Sequence, residues 1–70
     1  MIILEEIRNN LIEAIKLSGK SQSEIAKQLN IRQQSVAKYI AGINMPSLDT
    51  FANLCVILDL DANEILNIRK

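Results

Sequence analysis

Histidine is absent from this chain, and cysteine occurs once, at position 55. A lone Cys with no His cannot assemble a zinc site, and it has no partner for an internal disulfide, which fits a reducing compartment. There is no nucleophile beside a base, no carboxylate pair in a plausible cleft and no glycine-rich loop to cradle phosphate, so no enzyme chemistry is expected. One Phe and one Tyr leave little for stacking single-stranded bases. The longest apolar run, residues 54–58, is far short of the roughly 20 residues a membrane span needs. The opening Met1-Ile2-Ile3-Leu4 meets Glu5 and Glu6 at once, too short and too acidic for a secretory leader. The expectation is a soluble cytoplasmic protein with no metal, no cofactor and no membrane contact.

At 70 residues the chain reads as one domain with a small core. Its formal net charge is zero, but the charges are unevenly spread. Between residues 8 and 38 stand six cations (Arg8, Lys16, Lys20, Lys27, Arg32, Lys38) against Glu13 and Glu24. Residues 39–68 carry only anions. A neutral protein can in this way present one basic face, with few phosphate contacts per subunit.

The periodicity predicts five helices and no strand. The first covers about residues 3–17, with Leu4, Ile7, Leu11, Ala14 and Ile15 on one face and a break at Ser18-Gly19. Arg8 lies on its solvated side. The second and third, about residues 22–29 and 33–41, form the centre of the chain: SQSEIAKQLNIRQQSVAKYIA. Ser21-Gln22-Ser23-Glu24 has the form of a capping box, and Ile25, Ala26 and Leu29 share a face. Asn30 tolerates the left-handed conformation of a helix end, and Ile31 pins the bend to the core. In the third helix Val36, Tyr39 and Ile40 turn inward, and Gln33, Gln34, Ser35 and Lys38 outward. Gly42 stops that helix, and residues 43–46 form a loop ending at Pro46. Ser47 is the expected N-cap of a fourth helix with Asp49 in its first turn. Leu48, Phe51, Ala52, Leu54, Cys55 and Leu58 give it a wide apolar face, and Val56 with Ile57 make it apolar nearly all round. Cys55 is read as a small core residue and Tyr39 as core with its hydroxyl at the rim. Asp59 ends the fourth helix. Asp61-Ala62-Asn63-Glu64 resembles a second capping box, opening a last helix with Ala62, Ile65, Leu66 and Ile68 inward.

The outward row on the third helix carries the functional signal. A Gln carboxamide offers a donor and an acceptor, which pair with adenine N6 and N7 in the major groove. Two Gln and a Ser at the start of an exposed helix, with Arg before and Lys after, suit base edges flanked by phosphates. The plainer reading is a solvated polar face.

The pattern resembles the phage-repressor and Cro-type (XRE-like) helix-turn-helix family. The similarity spans residues 7–66 and rests on SQSEIAKQLNIRQQSVAKYIAG, then PSLDTFANL, then an ending of the form D-x-x-E-I-L. The resemblance implies an all-α, compact five-helix bundle that binds duplex DNA, commonly as a two-fold dimer. It implies that Gln22 meets a phosphate and that Gln33 and Gln34, with Ser35 beside them, read bases. Lys38 would face the groove or its wall, and Asn44 the backbone. Lys27 and Arg32 complete the candidate contact set.

Four departures from the family pattern matter. Arg32 stands where a Ser or Thr N-cap is usual; it is either kept for phosphate or guanine, or is a tolerated surface Arg. Ile15 and Ile40 replace a common Arg–Glu pair and are expected to touch. Residues 43–45 lack the usual basic character. Ile43, Met45, Val56 and Ile57 make the candidate dimer interface, with Ile57 also readable as core. The leading function is therefore a sequence-specific regulator of transcription, a repressor, working as a homodimer on a palindromic operator with no small-molecule effector. The alternative is a helix-turn-helix interaction module, such as an antitoxin or adaptor, with weak DNA binding of its own.

Overall fold

The computed structural model describes residues 1–68. Five helices follow one another: α1 (Leu4–Leu17), α2 (Gln22–Leu29), α3 (Gln33–Ile40), α4 (Leu48–Ile57) and α5 (Ala62–Ile65). Among the described residues there is no strand. The core is made by Leu11, Ile15, Ile25, Ala26, Val36, Leu54 and Ile65, one or two from each helix. Helix α2 packs on both α3 and α4, while α1 rests on α3 and α5. Ile15 lies in the core and Ile40 packs against that core, so the two residues that replace the family's common Arg–Glu pair share one apolar interior.

The helix boundaries are set by local chemistry. At the start of α2, Ser21 Oγ accepts the Glu24 amide at 3.1 Å, and the Glu24 carboxylate accepts the Ser21 amide at 3.4 Å. The capping box is thus complete. Four helices then end in one way. Asn30, Gly42, Asp59 and Asn67 all adopt positive φ, between 53° and 77°. The residue after each sends its amide back to the last turn: Ile31 to the Ala26 carbonyl, Ile43 to Lys38, Leu60 to Cys55 and Ile68 to Asn63. This is the Schellman closure, which satisfies carbonyls a helix end leaves free. Ile31 and Leu60 also pack on the core.

Several expectations need correction. Leu4, assigned to the inner face of α1, is 57% exposed. At about 1.5 Å rise per residue, the 14 residues of α1 outreach the 8-residue helices α2 and α3, so its ends overhang. Leu17 at the other end is exposed because it lies off the face that carries Leu11 and Ile15. On α4, Leu48 and Ala52 are exposed, because only the sector holding Phe51, Leu54, Cys55 and Leu58 meets the core. Ser47 does not cap the helix amides. Its hydroxyl donates to the Asp49 carboxylate instead, a charged and therefore stronger acceptor. That hydrogen bond, followed by one from the Thr50 amide, holds the Asp49 carboxyl below its usual range. The Asp61 carboxylate accepts the Asn63 amide at 3.0 Å, not that of Glu64, so Asp61 caps the helix without the expected second box. Ile68, expected inward, is 43% exposed. The third helix stops at Ile40, one residue early.

Two long-range polar ties were not anticipated. Asn10 Nδ2 donates to the Ile65 carbonyl and to Asn67 Oδ1, both at 3.1 Å, fastening α1 to the turn after α5. Lys20 Nζ donates to Gln28 Oε1 and to the Ile57 carbonyl, both at 3.3 Å, where a cation meets the negative end of α4.

Cys55 is half-buried and unpaired. Burial, then the Asp61 charge, pushes its thiol above the usual range. The folded chain therefore holds that proton more tightly than the unfolded chain does. The resulting stability is present below the ordinary thiol pKa of about 8.5 and is lost as pH rises through the folded value. Thermal melts from pH 7.5 to 10 are expected to fall more steeply for the natural chain than for Cys55→Ser; parallel curves would contradict this.

Candidate nucleic-acid interface

The α2–turn–α3 unit places its polar residues by construction. Ile25 and Ala26 anchor α2 and Val36 anchors α3, with Leu29 and Ile40 packed beside them, so the opposite sides of both helices face outward. Asn30, at φ 56° and ψ 45°, reverses the chain within one residue. Gln33 and Gln34 open α3 and are both exposed. Together with Gln22 from the first turn of α2 and with Ala37, they line a shallow depression of about 280 Å³. Residues far from Gln22 in sequence thus become its neighbours. Among the described residues, none of these three carboxamides has a side-chain hydrogen bond within the protein, and the donors and acceptors stay free for a ligand.

The surrounding residues are distributed as follows. Arg32 and Lys38 are exposed, at the start and in the last turn of α3. Lys27 is exposed in the last turn of α2. Among the described residues none of the three is in an ion pair. Ser35, expected outward, is half-buried. Asn44 is exposed in the loop beyond the far end of α3, so it is not gathered with the glutamines. Arg8 is committed elsewhere. Its Nη1 lies 2.6 Å from the Glu5 carboxylate, and its Cδ lies 3.5 Å from where a side chain at Gly42 would begin. Of the apolar candidates, Ile43 and Val56 are 69% and 78% exposed. Met45 and Ile57 are half-buried and pack on the core.

Arg32 occupies the N-cap of α3 with extended backbone and no side-chain cap. The first turn of α3 contains no acidic residue, so nothing neutralises the positive helix end or the guanidinium beside it. That tip suits a phosphate oxygen. Replacing Arg32 by Ser should restore the missing cap, raising stability by about 0.5–2 kcal/mol while weakening binding to any duplex. Chemical denaturation and a DNA titration on the same sample would check both; a Ser variant no more stable than the parent would show the cap was not missing.

Ala37 was not singled out in the sequence, although it follows Gln33 by one helical turn. Its small side chain lines the depression and leaves room for close approach there.

A helix-turn-helix family model matches residues 11–65, from the first core residue of α1 to the core residue of α5. The chain belongs to the Cro-type, XRE-like helix-turn-helix family of DNA-binding regulators. No curated protein and no solved structure matched it. No helix of the described residues is long and apolar enough to cross a membrane.

Proposed function

We propose that this protein is a transcriptional repressor that binds duplex DNA as a homodimer and reads a palindromic operator through α3. The observation that carries this reading is the depression shared by Gln22, Gln33 and Gln34 at an uncapped helix tip flanked by unpaired cations. The α3 tip enters the major groove, Gln33 and Gln34 meet base edges, and Arg32, Lys27 and Lys38 meet phosphates. An adenine in each half-site is the natural partner of a carboxamide. Asn44 lies beyond the other end of α3, in position for the backbone further along. A body of 33 × 23 × 21 Å is of a size that lets two copies sit on one face of the duplex, about 34 Å apart. Repression is then steric, by occupation of the site polymerase needs.

Selection of bound sequences from a random duplex pool tests the proposal. The expected product is an imperfect palindrome whose half-sites repeat at about 10 base pairs centre to centre. A pool that converges on no sequence would refute it. The second reading, an interaction module with weak DNA binding, is favoured by zero net charge and by the exposure of Ile43 and Val56. Fluorescence anisotropy with mixed duplex at two salt concentrations separates the two. Tightening at low salt supports the repressor, and no salt response supports the module.

A further inference from the structure

Two depressions adjoin between α1 and α5, of about 380 and 420 Å³. They share Ala14, Leu17, Glu64 and Ile65 and so form one groove. Its apolar lining is Ala14, Leu17, Leu58, Leu60 and Ile65, with Leu17 left open to solvent. The walls are fixed from within. At one end Asn10 bonds the Ile65 carbonyl and the Asn67 side chain. At the other, the left-handed turn at Asp59, φ 53°, carries the chain from α4 towards α5. A groove already in shape costs a ligand little ordering on binding. No residue of α2 or α3 lines it, so it can be filled while the α3 tip stays clear.

The charged lining has one sign. Glu13, Asp59, Asp61 and Glu64 all border the groove, and all four are exposed. They are half of the chain's eight acidic residues. Among the described residues none of the four is in an ion pair, and no lysine or arginine lines the groove. Lys20, two residues beyond Ser18 at one end, is turned to Gln28 and the Ile57 carbonyl. A cleft lined by charges of one sign concentrates its field, drawing in cations and turning away anions such as duplex DNA.

We propose that this groove docks a basic amphipathic helix of a partner protein. Two apolar side chains one turn apart on that helix enter the two depressions, the usual way a helix seats in a groove. Lys or Arg beside them face Glu13, Asp59, Asp61 and Glu64. Charge complementarity selects this occupant. An acidic segment would be repelled, and an uncharged one would leave four carboxylates unanswered. The inference goes beyond DNA binding and does not depend on it.

The test uses the full chain and a displayed library of random peptides of roughly 15 residues, the length at which an isolated helix begins to hold. Selection on the natural protein is expected to enrich peptides with apolar residues three or four positions apart among lysines and arginines. An enriched peptide should bind Leu17→Ser about 10-fold more weakly by titration calorimetry. A variant carrying both Glu13→Lys and Glu64→Lys should lose at least as much at low salt. Raising NaCl from about 50 to about 300 mM shortens the screening length and should weaken the natural complex severalfold, while the ratio between natural protein and Leu17→Ser stays the same. All three positions are exposed, and far-UV circular dichroism reports whether the variants remain folded. Leu17→Ser should bind duplex DNA within about twofold of the natural protein, as expected for distant sites. Selection that enriches nothing, or acidic or uncharged peptides, would overturn the proposal, as would equal binding to the natural and substituted proteins. Self-association of the natural protein that the double Lys variant abolishes would give the groove to a second copy and overturn it too. So would peptide binding that appears only after Arg69→Ala with Lys70→Ala, which would give the groove to the chain's own end. None of these outcomes bears on DNA reading, which operator selection tests by itself.

Discussion

Ile25→Ala is expected to cost the protein about 2–5 kcal/mol of stability. Ile25 is completely buried, in a cluster with Leu11, Ile15, Val36 and Leu54. It belongs to α2, which bridges α3 and α4. Removing three buried carbons costs the lost transfer free energy plus that of the cavity left behind, together about 2–5 kcal/mol. At roughly 0.05–0.15 kcal/mol per residue, a chain of 70 residues holds about 4–10 kcal/mol in total. One substitution therefore removes between a fifth and all of the stability. Leu17→Ala is the control, because Leu17 is 78% exposed and its loss should fall within about 0.5 kcal/mol. Urea titrations of the three proteins decide the matter. A cost below about 1 kcal/mol at Ile25 would mean that α2 is not the bridge between α3 and α4.

Gln33→Ala and Gln34→Ala should each weaken specific DNA binding by about 1–3 kcal/mol, or roughly 5- to 150-fold, with little change on unrelated duplex. The carboxamide carries no charge, so the number of phosphates neutralised, and with it the salt slope, should stay as it was. Both residues are exposed and make no side-chain hydrogen bond among the described residues, so the fold has nothing to lose. Lys38→Ala should behave oppositely, weakening binding to all sequences and reducing the salt slope by about one. Titrations against the selected operator and a scrambled duplex, each at three salt concentrations, separate the two patterns. If the Gln variants lost equally on both duplexes, these residues would not be reading bases.

What was legible in the sequence was local. The capping box at Ser21 and Glu24, the left-handed stop at Asn30, the helix ends at Gly42 and Asp59, and the inward set Ile25, Ala26 and Val36 all depend on residues within a turn or two. Ser47 shows the limit of that reasoning. A good capping residue was diverted because a better acceptor, Asp49, stood two positions away. The bond from Asn10 to the turn at Asn67 spans 57 positions, and no periodicity announces such a tie. Helix α4 was ambiguous because apolar residues surround it. The sequence could not say which sector the bundle would cover, and Leu48 and Ala52 were assigned to the wrong one. The depression at the α3 tip follows from the turn geometry that brings Gln22 to Gln33, which the resemblance implied and the residues alone did not.

The stop after α3 depends on two residues, Gly42 and Ile43, and the only fully buried side chain in that helix is Val36. Gln33, Gln34 and Lys38 consequently have no structural duty. On the proposed reading, changing them would alter the address on the DNA while the rod that presents them keeps its length and seat. If α3 reads the operator as proposed, a lineage carrying such a chain could move to new operators by drift at a few codons, with the interior untouched throughout.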